Sequence, residues 1–468
     1  MYAPTIRKEL LSNMLSMRYA LTFFLFISLT ISATMLRTHI YKKHVEDHQA
    51  FIAAQFAAME EVEHHWQSRG LGITVQTDPN PLAIFASGLE NEIHRGFSLS
   101  EWKAPTTGWR KLNNPSFRYF LTLDMVLVIN IICSLLALLL MFDSVCGERE
   151  QGTLRLLLAG PLPRDVVIVS KMVAGFATLL IPLLMSWALS LLYVMFIAKV
   201  QLTATQLARL GVIAGLSLVY VTFFFALGVA ISSWVKRSAT SLVIGLFSWI
   251  IFVLAIPNLV PMAVRRLAPI PPQSKISLEK EAVRDYVNTE IGPKIREELG
   301  NSGKYSTMAE LSREYWNQIQ TEYRRHTAKI DRFYNNRIKR QLVLNQQISR
   351  LSPSASYVYA STHLAGAGVP DFLAAIHEVD RYQDKYQLVR EEQEAKRKEE
   401  EKEKRKKLKK GETLIDRYDP SLWPPFTPKE ISLQAALNAC WFDVVILIGG
   451  TVVLFLFGFI GFYRYDPR

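Results

Sequence analysis

Six stretches of this chain run without a single Asp, Glu, Lys or Arg and are mostly apolar: residues 19–36, 125–142, 172–198, 210–235, 238–264 and 444–463. The shortest holds 18 residues and the longest 27, whereas a hydrocarbon core of ~30 Å takes about 20 apolar residues as a helix. Lipid cannot satisfy backbone amides, so such stretches must close their hydrogen bonds internally as helices. A soluble globule is therefore excluded, and a polytopic, all-α membrane protein is expected, with transmembrane helices at 19–36, 125–142, 172–198, 210–231, 240–263 and 441–463. Nearly all the charge, including a formal net of +12, falls outside these runs. Membrane topology and one mixed-charge tract explain that excess more simply than nucleic-acid binding does.

The first run follows Arg7, Lys8 and Arg18, as a secretory signal would. It is longer than the roughly 7 to 15 residues of a signal core, and Leu36-Arg37-Thr38 offers no cleavage site, so it reads as an uncleaved span. Short loops set orientation by their Lys and Arg content. Arg149, Arg155, Arg164 and Lys171 follow the second run, Lys236 and Arg237 the fourth, and Arg464 and Arg468 the last, against Lys199 and Arg209 between the third and fourth. Both termini are thus expected in the cytoplasm, with the long segments 37–120 and 265–438 on the outer side. No charge interrupts any run, which argues against an ion-driven pump, since mid-bilayer charges mark ion paths and proton relays. Asp124, Asp143 and Asp443 read as caps at span ends. Gly211 and Gly215 have small-xxx-small spacing, consistent with helix packing or a gating role.

Residues 143–171 read DSVCGEREQGTLRLLLAGPLPRDVVIVSK. Gly152-Thr153 supplies a break and an N-cap, and Leu154, Leu157 and Leu158 share one helical face before Gly160-Pro161 ends the turn. A short amphipathic helix at the membrane surface is expected, and taken alone it could simply rest on lipid headgroups. The run GEREQGTLRLLLAGPLPR with Lys171 at the head of the next span resembles the cytoplasmic signature of ABC-2 type permeases, the membrane subunits of ATP-binding cassette exporters. The short loop ISSWVKRSAT at 231–240 fits the same plan. PNPLAIFASGLENEI at 79–93 and ISRLSPSASYVYASTHLAGAG at 348–368 resemble a bacterial subgroup of that family with enlarged outer domains.

The resemblance implies that Glu148, Arg149, Glu150, Gly152, Thr153, Leu154 and Leu157 belong to a coupling helix docked in a groove of an ATPase subunit. Alternating charges would orient it on a polar rim while leucines fill the cleft. It also implies an elbow helix at 1–18, which suits Ile6, Leu10, Met14 and Met17 on one face with Arg7, Lys8 and Arg18 at its edges. No GxxxxGK followed by Ser or Thr occurs; Gly303-Lys304 is followed by Tyr305. No cofactor is therefore expected in this chain, and ATP and Mg would bind a separate ATPase present in two copies. A second permease, identical or related, would complete the pathway.

In the first outer segment Val45, Ile52, Phe56, Met59 and Val62 recur at helical spacing, and ITVQT at 73–77 alternates like a strand, so a small mixed domain is expected. His44 and His48 stand one turn apart, but HVEDH lacks the Glu placement of a zinc protease and no Cys joins them, so a solvated face is the favoured reading. The second segment reads as a long helical stalk, with Val283, Val287, Ile291, Ile295 and Leu299 as one apolar stripe and Met308, Leu311, Tyr315, Ile319, Ile330 and Leu342 as another. In 391–410, 17 of 20 residues are charged. Glu residues lie four positions before Lys or Arg, as in a solvated helix, although such a tract could also touch anionic lipid or an envelope partner. Cys133, Cys146 and Cys440 show no disulfide or zinc spacing. Three functions follow as expectations: an exporter permease in a bacterial inner membrane, an ATP-driven force transmitter acting through the stalk, or a membrane-embedded enzyme, for which the charge-free runs supply no paired catalytic groups.

Overall fold

A computed structural model describes residues 2–15, 17–60, 73–90, 97–99, 106–107, 122–154, 164–303, 308–375, scattered positions between 377 and 399, and 432–464. Six helices are long and apolar enough to cross a membrane: Tyr19–Ala58, Met125–Glu150, Val169–Ile197, Ala204–Trp234, Ser238–Leu267 and Leu433–Tyr463. Their starts are chemically marked. Asp124 caps the second by accepting from Leu127 N at 2.8 Å. Thr203 and Gln206 form a reciprocal capping box on the fourth, and Ser432 accepts from Ala435 N on the sixth. A helix Tyr2–Met14 precedes them and packs on the third span.

The fourth span is the hub, with 67% of its apolar window buried, against 22% for the fifth and 17% for the sixth. It packs most extensively on the sixth, where a Cβ at Gly458 would stand 3.1 Å from the Ala230 Cα, so the missing side chain lets two backbones meet. Gly228 does the same against Met141 of the second span. Gly211 and Gly215, by contrast, face open space, so their spacing packs no helix among the described residues. Single π-helical turns interrupt the second, third and fifth spans at Ile129–Cys133, Tyr193–Ile197 and Ile250–Ala255.

Three features describe the segment between the first and second spans. The helix that carries the first apolar run continues past residue 36 without a break, Met17–Glu60. His48 on that extension is not solvated: its ring nitrogens lie 3.2 Å from Gln76 Oε1 and 3.2 Å from Asp78 Oδ1. Beyond it Ile73–Val75, Phe97–Leu99 and Thr106–Thr107 form an antiparallel sheet with Ile73 opposite Leu99 and Phe97 opposite Thr107, a small β element in an otherwise helical chain. His64, His65, Pro105 and Pro115 lie outside the described residues.

The segment after the fifth span begins with Gln273–Tyr286, a π turn Val287–Ile291 and Gly292–Asn301, which return along the 42-residue helix Met308–Ser349. The two apolar stripes meet each other: Val287, Ile295, Leu299 and Ile319 form their own small core, with Leu311 and Tyr315 at its edge. Lys280 and Asp331 add an ion pair at 2.7 Å. The helix Pro353–Leu364 departs from the stalk reading. Every one of its residues is buried, and it packs on the fourth and sixth spans and on the π turn of the fifth. Most of the charged tract 391–410 lies outside the described residues.

Candidate coupling site

At its far end the second span turns through 142–145 into a short helix, Cys146–Glu150. Ser232 Oγ, near the end of the fourth span, accepts from Val145 N at 3.0 Å and Cys146 N at 3.1 Å, holding that helix against the hub. Each charge of the GERE motif then reaches a different neighbour. Glu148 Oε1 accepts from Lys171 Nζ at 2.6 Å, and the same ammonium, 8% exposed, lies 3.4 Å from Glu9 of the N-terminal helix. Arg149 donates from Nη1 to Val235 O and from Nη2 to Ser233 O, each at 3.3 Å, closing the last carbonyls of the fourth span. Those carbonyls have no intrahelical donor, and a cation at a helix C-terminus also meets the negative end of its dipole. Glu150 Oε2 accepts from Ser238 N at 3.1 Å, at the first turn of the fifth span. It caps that helix from outside, supplying the acceptor that Arg237 at the N-cap position, a donor only, cannot provide.

Gly152 follows at φ +73°, a left-handed conformation that a glycine adopts without strain, and a Cβ there would meet nothing within 4 Å. Thr153 Oγ1 donates back to Glu148 O at 3.2 Å. Leu154 is fully buried in the main core. Glu148, Arg149 and Glu150 thus engage this chain's own helices, and Leu154 turns inward. Leu157, Leu158 and Gly160-Pro161 lie outside the described residues.

The residues that sequence reasoning missed are the receivers: Ser232, Ser233 and Val235 at the end of the fourth span, Ser238 at the start of the fifth, and Glu9 in the N-terminal helix. The fourth-to-fifth loop stands out in the sequence only through its Lys236 and Arg237 and as part of the family pattern. Nothing in its spacing says which carbonyl or amide lacks a partner.

A motif that ties the second, third, fourth and fifth helices together on one side of a six-span bundle agrees with the comparisons to known proteins. The family model described as "ABC-2 family transporter protein" matches residues 4–467. The "Probable ABC transporter permease protein NosY" of Pseudomonas aeruginosa is 35% identical over 122 residues, covering 26% of this chain and 44% of that protein. The chain thus spans less than half the length of this curated relative. With the family match running almost end to end, this chain belongs to the ABC-2 family of transporter proteins, as a permease-type membrane subunit.

Proposed function

We propose that this chain is the permease subunit of an ATP-driven exporter in a bacterial cytoplasmic membrane, with both termini cytoplasmic. ATP and Mg bind a separate ATPase present in two copies, and a second permease, identical or related, completes the assembly. The observation that carries this reading is the set of bonds from Glu148, Arg149 and Glu150 to three different helices. A push on the segment around Gly152–Leu157 is then delivered to the heads of the third and fifth spans and the end of the fourth at once. The same bonds explain the choice of residues: they make the docking segment rigid relative to the spans, while the contact with the ATPase falls to the residues after Gly152.

The test is isolation of the complex from native membranes through a tag on this chain. A co-isolated polypeptide with a phosphate-binding loop and ATP hydrolysis is expected with the wild type. The double variant Glu148→Lys, Gly152→Pro, inserted at normal yield, is expected to lose coupled activity, because a second cation faces Lys171 and proline cannot adopt positive φ. Equal coupled activity in the double variant ends the assignment.

A second reading, force transmission to an envelope partner without transport, is favoured by one feature: the first span continues to Glu60 without a break, and the fifth runs through Ile256–Leu267 onto the outer helix Met308–Ser349. Flux by the purified complex in liposomes without any envelope partner excludes it.

A further inference from the structure

The helix Met308–Ser349 changes sign along its length. Its first part, 308–323, holds three acids and one base, whereas 324–340 holds seven Lys and Arg against Asp331 alone. That one acid is already taken by Lys280 at 2.7 Å. Lys329, Arg332, Lys339 and Arg340 are exposed and make no ion pair or hydrogen bond among the described residues. A helix face that serves only solubility mixes its signs, with acids one turn from bases. A face of one sign, unanswered within the chain, instead raises a local potential that draws an anionic partner.

Two bonds set the level of this face. Gln341 Nε2 donates to Ala268 O at 2.9 Å and Arg337 Nη1 to Pro269 O at 3.3 Å, so the helix passes the end of the fifth span at these residues. There the uncharged run 238–264 gives way to Arg265 and Arg266, both exposed and likewise unpaired among the described residues. Arg266 stands four residues after Met262 and seven after Leu259, which are 56% and 60% exposed, so it prolongs a lipid-facing stripe into the headgroup layer. This is the end of the bundle away from the coupling site, and the acid-richer part of the helix points farther from the membrane: Glu322 lies about 27 Å beyond Arg340 at 1.5 Å per residue. We propose that Arg266, Lys339 and Arg340 form a basic collar that seats on the phosphates of anionic phospholipid headgroups. Level favours lipid over an acidic polymer, which would be met farther out, at Arg325 and Lys329. The inference needs the membrane spans but not the exporter reading.

The test uses the full chain in nanodiscs of equal phosphatidylglycerol and phosphatidylethanolamine, with the lipid that stays bound on release into detergent read by native mass spectrometry. The wild type is expected to retain phosphatidylglycerol in about fivefold excess or more, which corresponds to about 1 kcal/mol of preference. Arg266→Gln with Arg340→Gln alters only exposed, unpaired side chains and should bring the ratio close to one at an unchanged midpoint temperature. Arg325→Gln with Lys329→Gln removes the same charge about 16 to 23 Å farther along the helix and should leave the ratio as in the wild type. Equal retention of the two lipids by the wild type overturns the proposal whether or not any variant folds, and so does an unchanged ratio in the Arg266, Arg340 variant. Equal loss in both variants would make the attraction a diffuse field and overturn the collar. Capture of inorganic polyphosphate by the wild type, without a preference between the lipids, would assign the face to an acidic polymer and overturn the lipid assignment.

Discussion

Asp443 sits ten residues inside the last span, fully buried, with its two oxygens 2.7 and 2.9 Å from Arg350 Nε and Nη2. It is not the boundary cap its position at the edge of an apolar run suggests; Asp124, at a real helix start, is. Arg350 falls at the end of the long outer helix, so the pair pins that helix to the sixth span. Removing one partner leaves a buried charge alone: Asp443→Ala is expected to cost about 3 kcal/mol or more. Arg350→Met together with Asp443→Leu should recover most of that loss, read as midpoint temperatures in detergent. A double variant no better than the single would show that the pair adds net stability.

Two titratable residues, His363 in the last turn of the buried helix Pro353–Leu364 and Asp371 beyond it, oppose each other. Burial pushes the Asp371 carboxyl up to about 7, against the Gly368 N–H bond and the Arg209 charge, with Glu90 pushing the same way as burial. Burial, then the Arg350 charge, holds the His363 imidazole down to about 3. A carboxyl that binds its proton more tightly when folded stabilises the fold at low pH, and that contribution is lost as pH rises from about 4 to 7. A histidine kept neutral contributes stability that is lost as pH falls from about 6.5 towards 3. Between about 4 and 6.5 the two slopes offset. Asp371→Asn should therefore make the region weaken on acidification, and His363→Gln should make it weaken as pH rises. Amide exchange over 360–372, corrected for intrinsic rates, reads both; parallel slopes in the two variants would contradict the assignment.

Among the elements, the helix Pro353–Leu364 is held at both ends and along its length. Ser352 caps its start and donates to Phe252 O of the fifth span, and Ser354 donates to Asn130 Oδ1 at 2.8 Å. Midway, Tyr357 stacks on Tyr220 with centroids 4.3 Å apart, and the Tyr357 hydroxyl lies 2.9 Å from Ser217 Oγ. At its far end Asn80 Nδ2 donates to Ala365 O at 2.6 Å and Leu89 N to Ala367 O at 2.8 Å. The two outer segments that resemble the family subgroup, 79–93 and 348–368, thus meet each other on top of the fourth span. Tyr357→Ala should open a cavity and cost about 3 to 5 kcal/mol, as for large aromatic deletions. On the opposite side of the bundle, Arg149→Met should free the Ser233 and Val235 carbonyls at about 1.5 to 3 kcal/mol per charged bond. Faster amide exchange over 231–240, with the helix 353–364 unchanged, is the expected signature.

For the whole molecule, the test is sidedness. All three native cysteines are buried, so Cys146 is not a usable reporter, and position 90 is also closed. Exposed positions serve instead: Glu46→Cys and Thr289→Cys should react with an impermeant thiol reagent from one side, and Gln151→Cys only from the other. Reaction of positions 46 and 289 from opposite faces would contradict six spans. The weakly buried faces of the fifth and sixth spans, including Val243, Phe247 and Val453, mark where lipid or a second permease must cover the bundle.

Six helices long and apolar enough to cross a membrane could be read from the residues alone, because charge-free length is a one-dimensional property that lipid reads directly. The sequence also determined the two packed stripes of the outer helices, since a period near 3.6 places Val287, Ile295 and Leu299 on one face whatever lies opposite. It took the assembled fold to show that Glu148, Arg149 and Glu150 bond to neighbouring helices of this chain, that Asp443 is paired, and that 353–364 leaves the stalk for the bundle. Those facts depend on which carbonyl, amide or charge ends without a partner after the spans assemble. A buried polar group must be answered by whatever is nearest in space, and residues 93 or 140 positions apart, such as Arg350 with Asp443 and Ser217 with Tyr357, become neighbours only through packing.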